Sequence, residues 1–341
     1  MKKFLSYFQD FFSEGFDWRL HLVVMVFVAI SIWLNFSYGN HGFERDYIGY
    51  RSWKSVFGFF ILQTFPFYVV IALQCYFKED WSIFQNSTFW WVTIVGFAIL
   101  AFSRGFPYTM EIAEFFPNGI RNFAAKCFMK FKRVFIIILP LFILYLATKQ
   151  HFQFIGTTIE NANILDSGHL NFIAKQPFKY DSFYGLTFKN AHVKPYIILL
   201  LCMIPLIYFA SLDDSFLRAY PKYKGYNAHL YLKVPEYVTV AIYEFCYGIG
   251  FIAIELFFRG FLVIGLVALL GKDVILPMAA TYVFLHFGKP AGEAVSSFFG
   301  GYILGVIALY SGNIWGGVFV HVGIAWLMEA MAWFQLTKLH D

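Results

Sequence analysis

Long apolar blocks separated by short polar stretches set the pattern of this chain. The blocks run over Leu20–Phe36, Val56–Phe77, Phe89–Phe102, Val134–Thr148, Pro195–Leu212, Tyr237–Leu270, Val274–Phe287, Ala294–Tyr310 and Ile314–Phe334. A bilayer core takes about 20 apolar residues per helix, so each block meets or approaches a span. No period-two alternation recurs, which favours helices over a barrel. As one helix the Tyr237–Leu270 block would be roughly 50 Å long, so two helices, or one broken near Gly260, are expected there. The expected fold is an all-α, polytopic transmembrane helix bundle with about 8–10 spans.

Composition points the same way. The 341 residues are 59% hydrophobic, 22% aromatic and 14% charged, with a mean hydropathy of +0.60. An ordinary soluble domain is about half apolar and a quarter charged, so that class is excluded. The opening MKKFLSYFQDFFSEGF carries two lysines, as a signal peptide does, but Asp10, Glu14 and Asp17 interrupt the run. A retained amphipathic helix at the membrane interface is expected instead. The net charge of +5 is what positive cytoplasmic loops produce, so no nucleic-acid partner is inferred and membrane lipids are the expected surroundings. Arg121, Lys126, Lys130, Lys132 and Arg133 form one basic loop, and Arg218, Lys222, Lys224 and Lys233 another. Both are expected to face the cytoplasm, which places the Asn-, Thr-, Ser- and Gly-rich segment 149–194 outside. Cys75, Cys127, Cys202 and Cys246 are scattered singly, without metal-ligand spacing, and read as packing residues.

A boundary is expected in the polar connector 212–235. It separates an N-terminal membrane region (1–235, with about five spans) from a C-terminal membrane core (236–341). Within that core, ionisable residues enter the apolar blocks: Glu244, Glu255, Arg259, His286, Glu293, His321 and Glu329. Each costs roughly 2.5–3.5 kcal/mol at a helix centre in lipid, so most must face a shared interior. Glu255 and Arg259, at i and i+4, can pair on one helix face; alone, they could simply be a buried ion pair that fixes register. Glu244 lies about three turns before Glu255, and Glu329 about two turns after His321, on roughly matching faces. Glu293 follows FGKPAG and suits a helix N-terminus. Either histidine alone reads as a hydrogen-bonded core residue. Together, two histidines and a carboxylate on separate helices can polarise a water or hold Zn²⁺. The candidate ligands are His286, His321 and Glu255, with Glu329, Glu293 or Glu244 as auxiliary acids, and Arg259 can steady the carboxylate or a developing oxyanion. Gly301 with Gly305, and Gly312 with Gly316, allow helices to approach closely.

These residues resemble the CAAX-protease and bacteriocin-processing (CPBP) family of intramembrane proteases, over roughly residues 236–334. That family carries EExxxR, FxxxH and HxxxN or HxxxD on successive helices; here the three read IELFFR (Ile254–Arg259), YVFLH (Tyr282–His286) and HVGIA (His321–Ala325). The resemblance implies an intramembrane endopeptidase, a hydrolase acting on membrane-associated peptides of CAAX-like or prenylated type. It implies Glu255, Arg259, His286 and His321 as the site, either as a Zn²⁺ metalloprotease or without metal, and a multi-pass protein of a bacterial cell membrane. Two positions depart from it. The Glu with which the family activates water falls on Ile254, and the final Asn or Asp falls on Ala325. A rebuilt catalytic centre is therefore weighed against an inactive pseudoprotease that binds or scaffolds partners in the membrane. A transporter is the third reading, because intramembrane charges also mark ion pathways; no internal repeat supports it.

Overall fold

The computed structural model describes residues 2–13, 16–38, 42–149, 182–188 and 193–338. Most of the expected external segment, 150–181 and 189–192, lies outside the described residues. Helices follow one another as α1 (Lys2–Ser13), α2 (Trp18–Ser37), α3 (Trp53–Lys78), α4 (Ser87–Gly105), α5 (Arg121–Lys149) and α6 (Val193–Ala210). The C-terminal four are α7 (Glu236–Gly265), α8 (Val267–Phe284), α9 (Ala291–Ser311) and α10 (Trp315–Lys338). The fold is all-α: among the described residues there is no strand, and nine helices, α2 to α10, are long and apolar enough to cross a bilayer. Their starts follow local chemistry. Asp17 accepts from the Arg19 and Leu20 amides ahead of α2, Ser52 caps α3, and Asn86 caps α4, each satisfying amides that a helix N-terminus leaves free.

Burial sorts the helices into a centre and a shell. All of Leu256–Gly265 in α7 and all of Ile275–Phe284 in α8 are buried, as expected of helices apolar on every side. The shell turns large apolar side chains outward, among them Trp33, Phe57, Leu146 and Phe209. Helix α8 packs on α3 and α9, α7 on α5 and α10, and α10 on α6. One apolar core joins Phe67, Phe97 and Leu141 to Phe257, Phe261 and Met278, so it draws on residues from both sides of the 212–235 connector. Gly301 and Gly305 bring α9 against Tyr282 and Met278 of α8.

One expectation is corrected. The long apolar block does not break near Gly260. Helix α7 continues through it, changing from α-helical to π-helical at Leu256, and the chain restarts at Val267. Gly260 serves a close approach instead: a Cβ there would stand 2.7 Å from the Tyr184 carbonyl oxygen. That contact packs part of the segment 149–194 against the helices. Tyr184 is buried, and the Gly185 carbonyl accepts from the Ile314 amide at 3.1 Å. At the N-terminus, α1 is amphipathic and lays Tyr7 and Phe11 against Tyr310 and Tyr302 of α9.

Candidate active site

Three elements build the site. Helix α7 carries Glu255 and Arg259 at the point where it turns π-helical, a local geometry that recurs at functional sites. Helix α8 carries Tyr282, with His286 in the turn just beyond Phe284, and α10 carries His321. Glu255 is 0% and Arg259 1% exposed. Glu255 Oε1 accepts from Arg259 Nη1 at 2.9 Å and from His321 Nδ1 at 2.9 Å. A buried carboxylate is costly unless it is both charge-paired and hydrogen-bonded, and here one oxygen receives both kinds of partner. An ionised carboxylate only accepts, so the contact puts a proton on Nδ1 of His321; in the neutral ring the lone pair then lies on Nε2.

Tyr282 is the residue around which the others gather. Its ring lies under the Arg259 guanidinium at 4.3 Å, and its ring centroid is 4.7 Å from that of His286 and 6.2 Å from that of His321. Its carbonyl accepts from His286 Nδ1 at 2.8 Å. Its hydroxyl stands 3.4 Å from His321 Nε2, the outer limit of a hydrogen bond. The structure thus brings together Glu255, Arg259 and His321 directly, and His286 through Tyr282.

The remaining oxygen, Glu255 Oε2, has no protein partner among the described residues, and neither do Arg259 Nε and Nη2. Gly317 of α10 faces that oxygen, where a Cβ would stand 2.3 Å away. Gly317→Ala should therefore displace the carboxylate from His321. An unfolding midpoint lowered by the equivalent of about 1–3 kcal/mol is expected for overpacking; an unchanged midpoint would contradict the tightness of this contact.

The three auxiliary acids go elsewhere. Both Glu329 oxygens accept from the Lys222 amide, at 2.8 and 2.7 Å. Glu293 accepts from the Tyr220 hydroxyl at 2.8 Å and pairs with Lys289 at 2.9 Å, in the first turn of α9, as its position before that helix suggested. Both acids therefore anchor the 212–235 connector. Glu244 Oε2 has no hydrogen-bond partner among the described residues. Among the described residues no three His, Cys, Asp or Glu side chains form a group that could hold a metal ion. Among the described residues, the donors therefore do not gather into a set that fits Zn²⁺. Ile254 is buried in the main core, and Ala325 packs with Tyr243, Tyr247 and Phe251.

Sequence reasoning missed the support that the N-terminal region gives to His286. Arg104 Nη1 donates to the Leu285 carbonyl at 3.1 Å, and Asn35 Nδ2 to the Phe287 carbonyl at 3.1 Å. These satisfy backbone acceptors on either side of His286, where the end of α8 leaves them free. Arg104 is paired in turn with Glu44, a buried carboxylate that also accepts from Tyr50. A lone Asn near the end of the first apolar block was the available signal for Asn35; Arg104, just past the end of its block, gave none. Asn35→Leu leaves the Phe287 carbonyl and the Phe43 amide without this partner. A loss of about 1–3 kcal/mol is expected, read as a lower unfolding midpoint in detergent; an unchanged midpoint would remove Asn35 from this role.

Residues 237–327 match the family model of the type II CAAX prenyl endopeptidase, Rce1-like. No curated protein and no solved structure matches the chain. The matched stretch contains Glu255, Arg259, Tyr282, His286 and His321, while Arg104, Glu44 and Asn35 lie outside it. With nine apolar helices of spanning length, the chain is a multi-pass integral membrane protein whose C-terminal region is similar to CAAX-type proteases.

Proposed function

We propose that this chain is an intramembrane endopeptidase that hydrolyses a peptide bond of membrane-associated peptides, with CAAX-like, prenylated peptides as the substrate class. The observation that carries the reading is the 2.9 Å contact between His321 Nδ1 and a fully buried, Arg259-paired Glu255. In the CPBP pattern a carboxylate activates water, and here that position is Ile254. The Glu–His pair offers a different base. With Nδ1–H on Glu255, His321 Nε2 takes a proton from water as the water oxygen bonds to the scissile carbonyl carbon. Glu255 stabilises the imidazolium that results, and the same Nε2–H then protonates the departing amine as the C–N bond breaks. Arg259 Nε and Nη2, free of protein partners among the described residues, are the donors for the tetrahedral oxyanion. His286, held through Nδ1 by the Tyr282 carbonyl, orients water or substrate through its other nitrogen.

A second reading has an observation of its own. Ile254 is apolar and buried, and a charged framework locked beside it suits a pseudoprotease that binds peptide without cutting. The two separate cleanly in purified protein in liposomes, given a peptide with an S-prenylated cysteine fourth from its C-terminus. Mass spectrometry should find two complementary products, in equal yield with and without a chelator. No products from folded wild type, together with cleavage gained by Ile254→Glu, would establish the binding protein instead.

A further inference from the structure

A second group of charged side chains lies beside the Glu255 site. Lys130 and Arg133 come from α5, Lys222 from the connector, and Lys289 from the turn between α8 and α9. Lys130 Nζ sits 4.0 Å from the centroid of the Tyr247 ring, and Lys222 Nζ sits 4.2 Å from that of Tyr220. Lys130 is within electrostatic reach of Arg133, Lys222 and Lys289. Four cations face three acids here: Glu293, on Lys289 and Tyr220, Glu329, on the Lys222 amide, and Glu244, within electrostatic reach of Lys130. No carboxylate pairs with Lys130, Arg133 or the Lys222 ammonium among the described residues. Burial and the Lys289 charge hold the Lys222 ammonium down to about 8. Like charges gathered where they are partly desolvated are stabilised by an anion, and charge-assisted bonds are the strong ones.

The cluster is joined to the site by a short aromatic ladder. Tyr247, under Lys130, meets Phe251 at 5.0 Å, and Phe251 meets His321 at 4.1 Å. An extended peptide advances about 3.3–3.6 Å per residue, so the end of a chain cut at His321 reaches this cluster within about four residues. We propose that Lys130, Lys222 and Lys289, with Arg133, form a subsite for the C-terminal carboxylate of the peptide substrate. The identity of that ligand rests on the endopeptidase reading. A lipid phosphate carries similar charge, but the Tyr220 and Tyr247 rings under these lysines are buried, and the ring ladder leads from Tyr247 to His321.

Binding, not cleavage, tests the subsite. His321→Ala protein in uncharged phosphatidylcholine nanodiscs is titrated with the prenylated peptide as its free acid and as its C-terminal amide. The acid should bind about tenfold tighter, a difference of about 1.4 kcal/mol. Lys130→Gln/Lys222→Gln should erase that preference, Lys130→Arg/Lys222→Arg should keep it, and Lys224→Gln, exposed on the same connector, should leave it intact. Equal binding of acid and amide by the folded parent overturns the proposal, as does equal weakening of both by the Gln variants. Anionic phosphatidylglycerol abolishing the preference, with the Gln variants losing bound lipid instead, would assign the cluster to lipid and also overturn it. Failure of wild type to cleave any peptide would count against the endopeptidase reading while leaving this preference measurable.

Discussion

His321→Ala is expected to lower peptide cleavage by about 10²–10⁴-fold, the usual weight of a positioned general base, while the protein stays folded. His321 is partly exposed at 14% of its side chain, and its nearest polar partner among the described residues is Glu255, with the Tyr282 hydroxyl farther off; Glu255 keeps Arg259 when the ring is lost. Initial rates on the prenylated peptide in liposomes, set beside unfolding midpoints, separate the two effects. A folded variant that cuts at the wild-type rate would remove His321 from the chemistry.

Arg259→Met should have the largest effect on stability. It leaves the Glu255 carboxylate without its cation at zero exposure, and breaking a buried pair from one side costs about 3–5 kcal/mol. The guanidinium also loses its seat on Tyr282, worth up to about 2 kcal/mol where desolvated. Denaturant unfolding in detergent checks this, and Glu255→Leu/Arg259→Met supplies the control. Removing both charges should recover most of the stability while activity stays lost. If the double variant is as unstable as the single, packing around Arg259, not the stranded carboxylate, dominates.

The spans were legible because bilayer-length apolar blocks have few alternative fates. Glu255 and Arg259 were legible as a pair because i,i+4 spacing fixes their neighbourhood on a single helix. The contact from His321 to Glu255 was not, because two separate spans can face one another in many ways, and only packing such as the approach at Gly317 selects one. The same limit made Glu293 and Glu329 look like members of the centre. Their partners, Tyr220 and the Lys222 amide, come from a connector whose path no local pattern specifies. Tyr282 stands where the FxxxH motif has Phe, and its carbonyl and ring contact both histidines and the arginine. Gly260 looked like a break because glycine disfavours helix; a close backbone neighbour at Tyr184 explains it instead. Glu44 and Arg104 escaped notice because a buried pair formed across a large sequence separation leaves no periodic trace.

The central claim is that the base has moved from the carboxylate position now held by Ile254 to the imidazole of His321. Imidazole rescue tests it most directly: cleavage by His321→Ala is followed as free imidazole is added, with Glu255→Ala/His321→Ala run in parallel. Activity in the single variant should rise with imidazole concentration, and the double variant should respond far less, because Glu255 orients the ring. Cleavage by the folded single variant that is already at the wild-type rate without imidazole, or wild-type protein that cuts nothing, would contradict the claim.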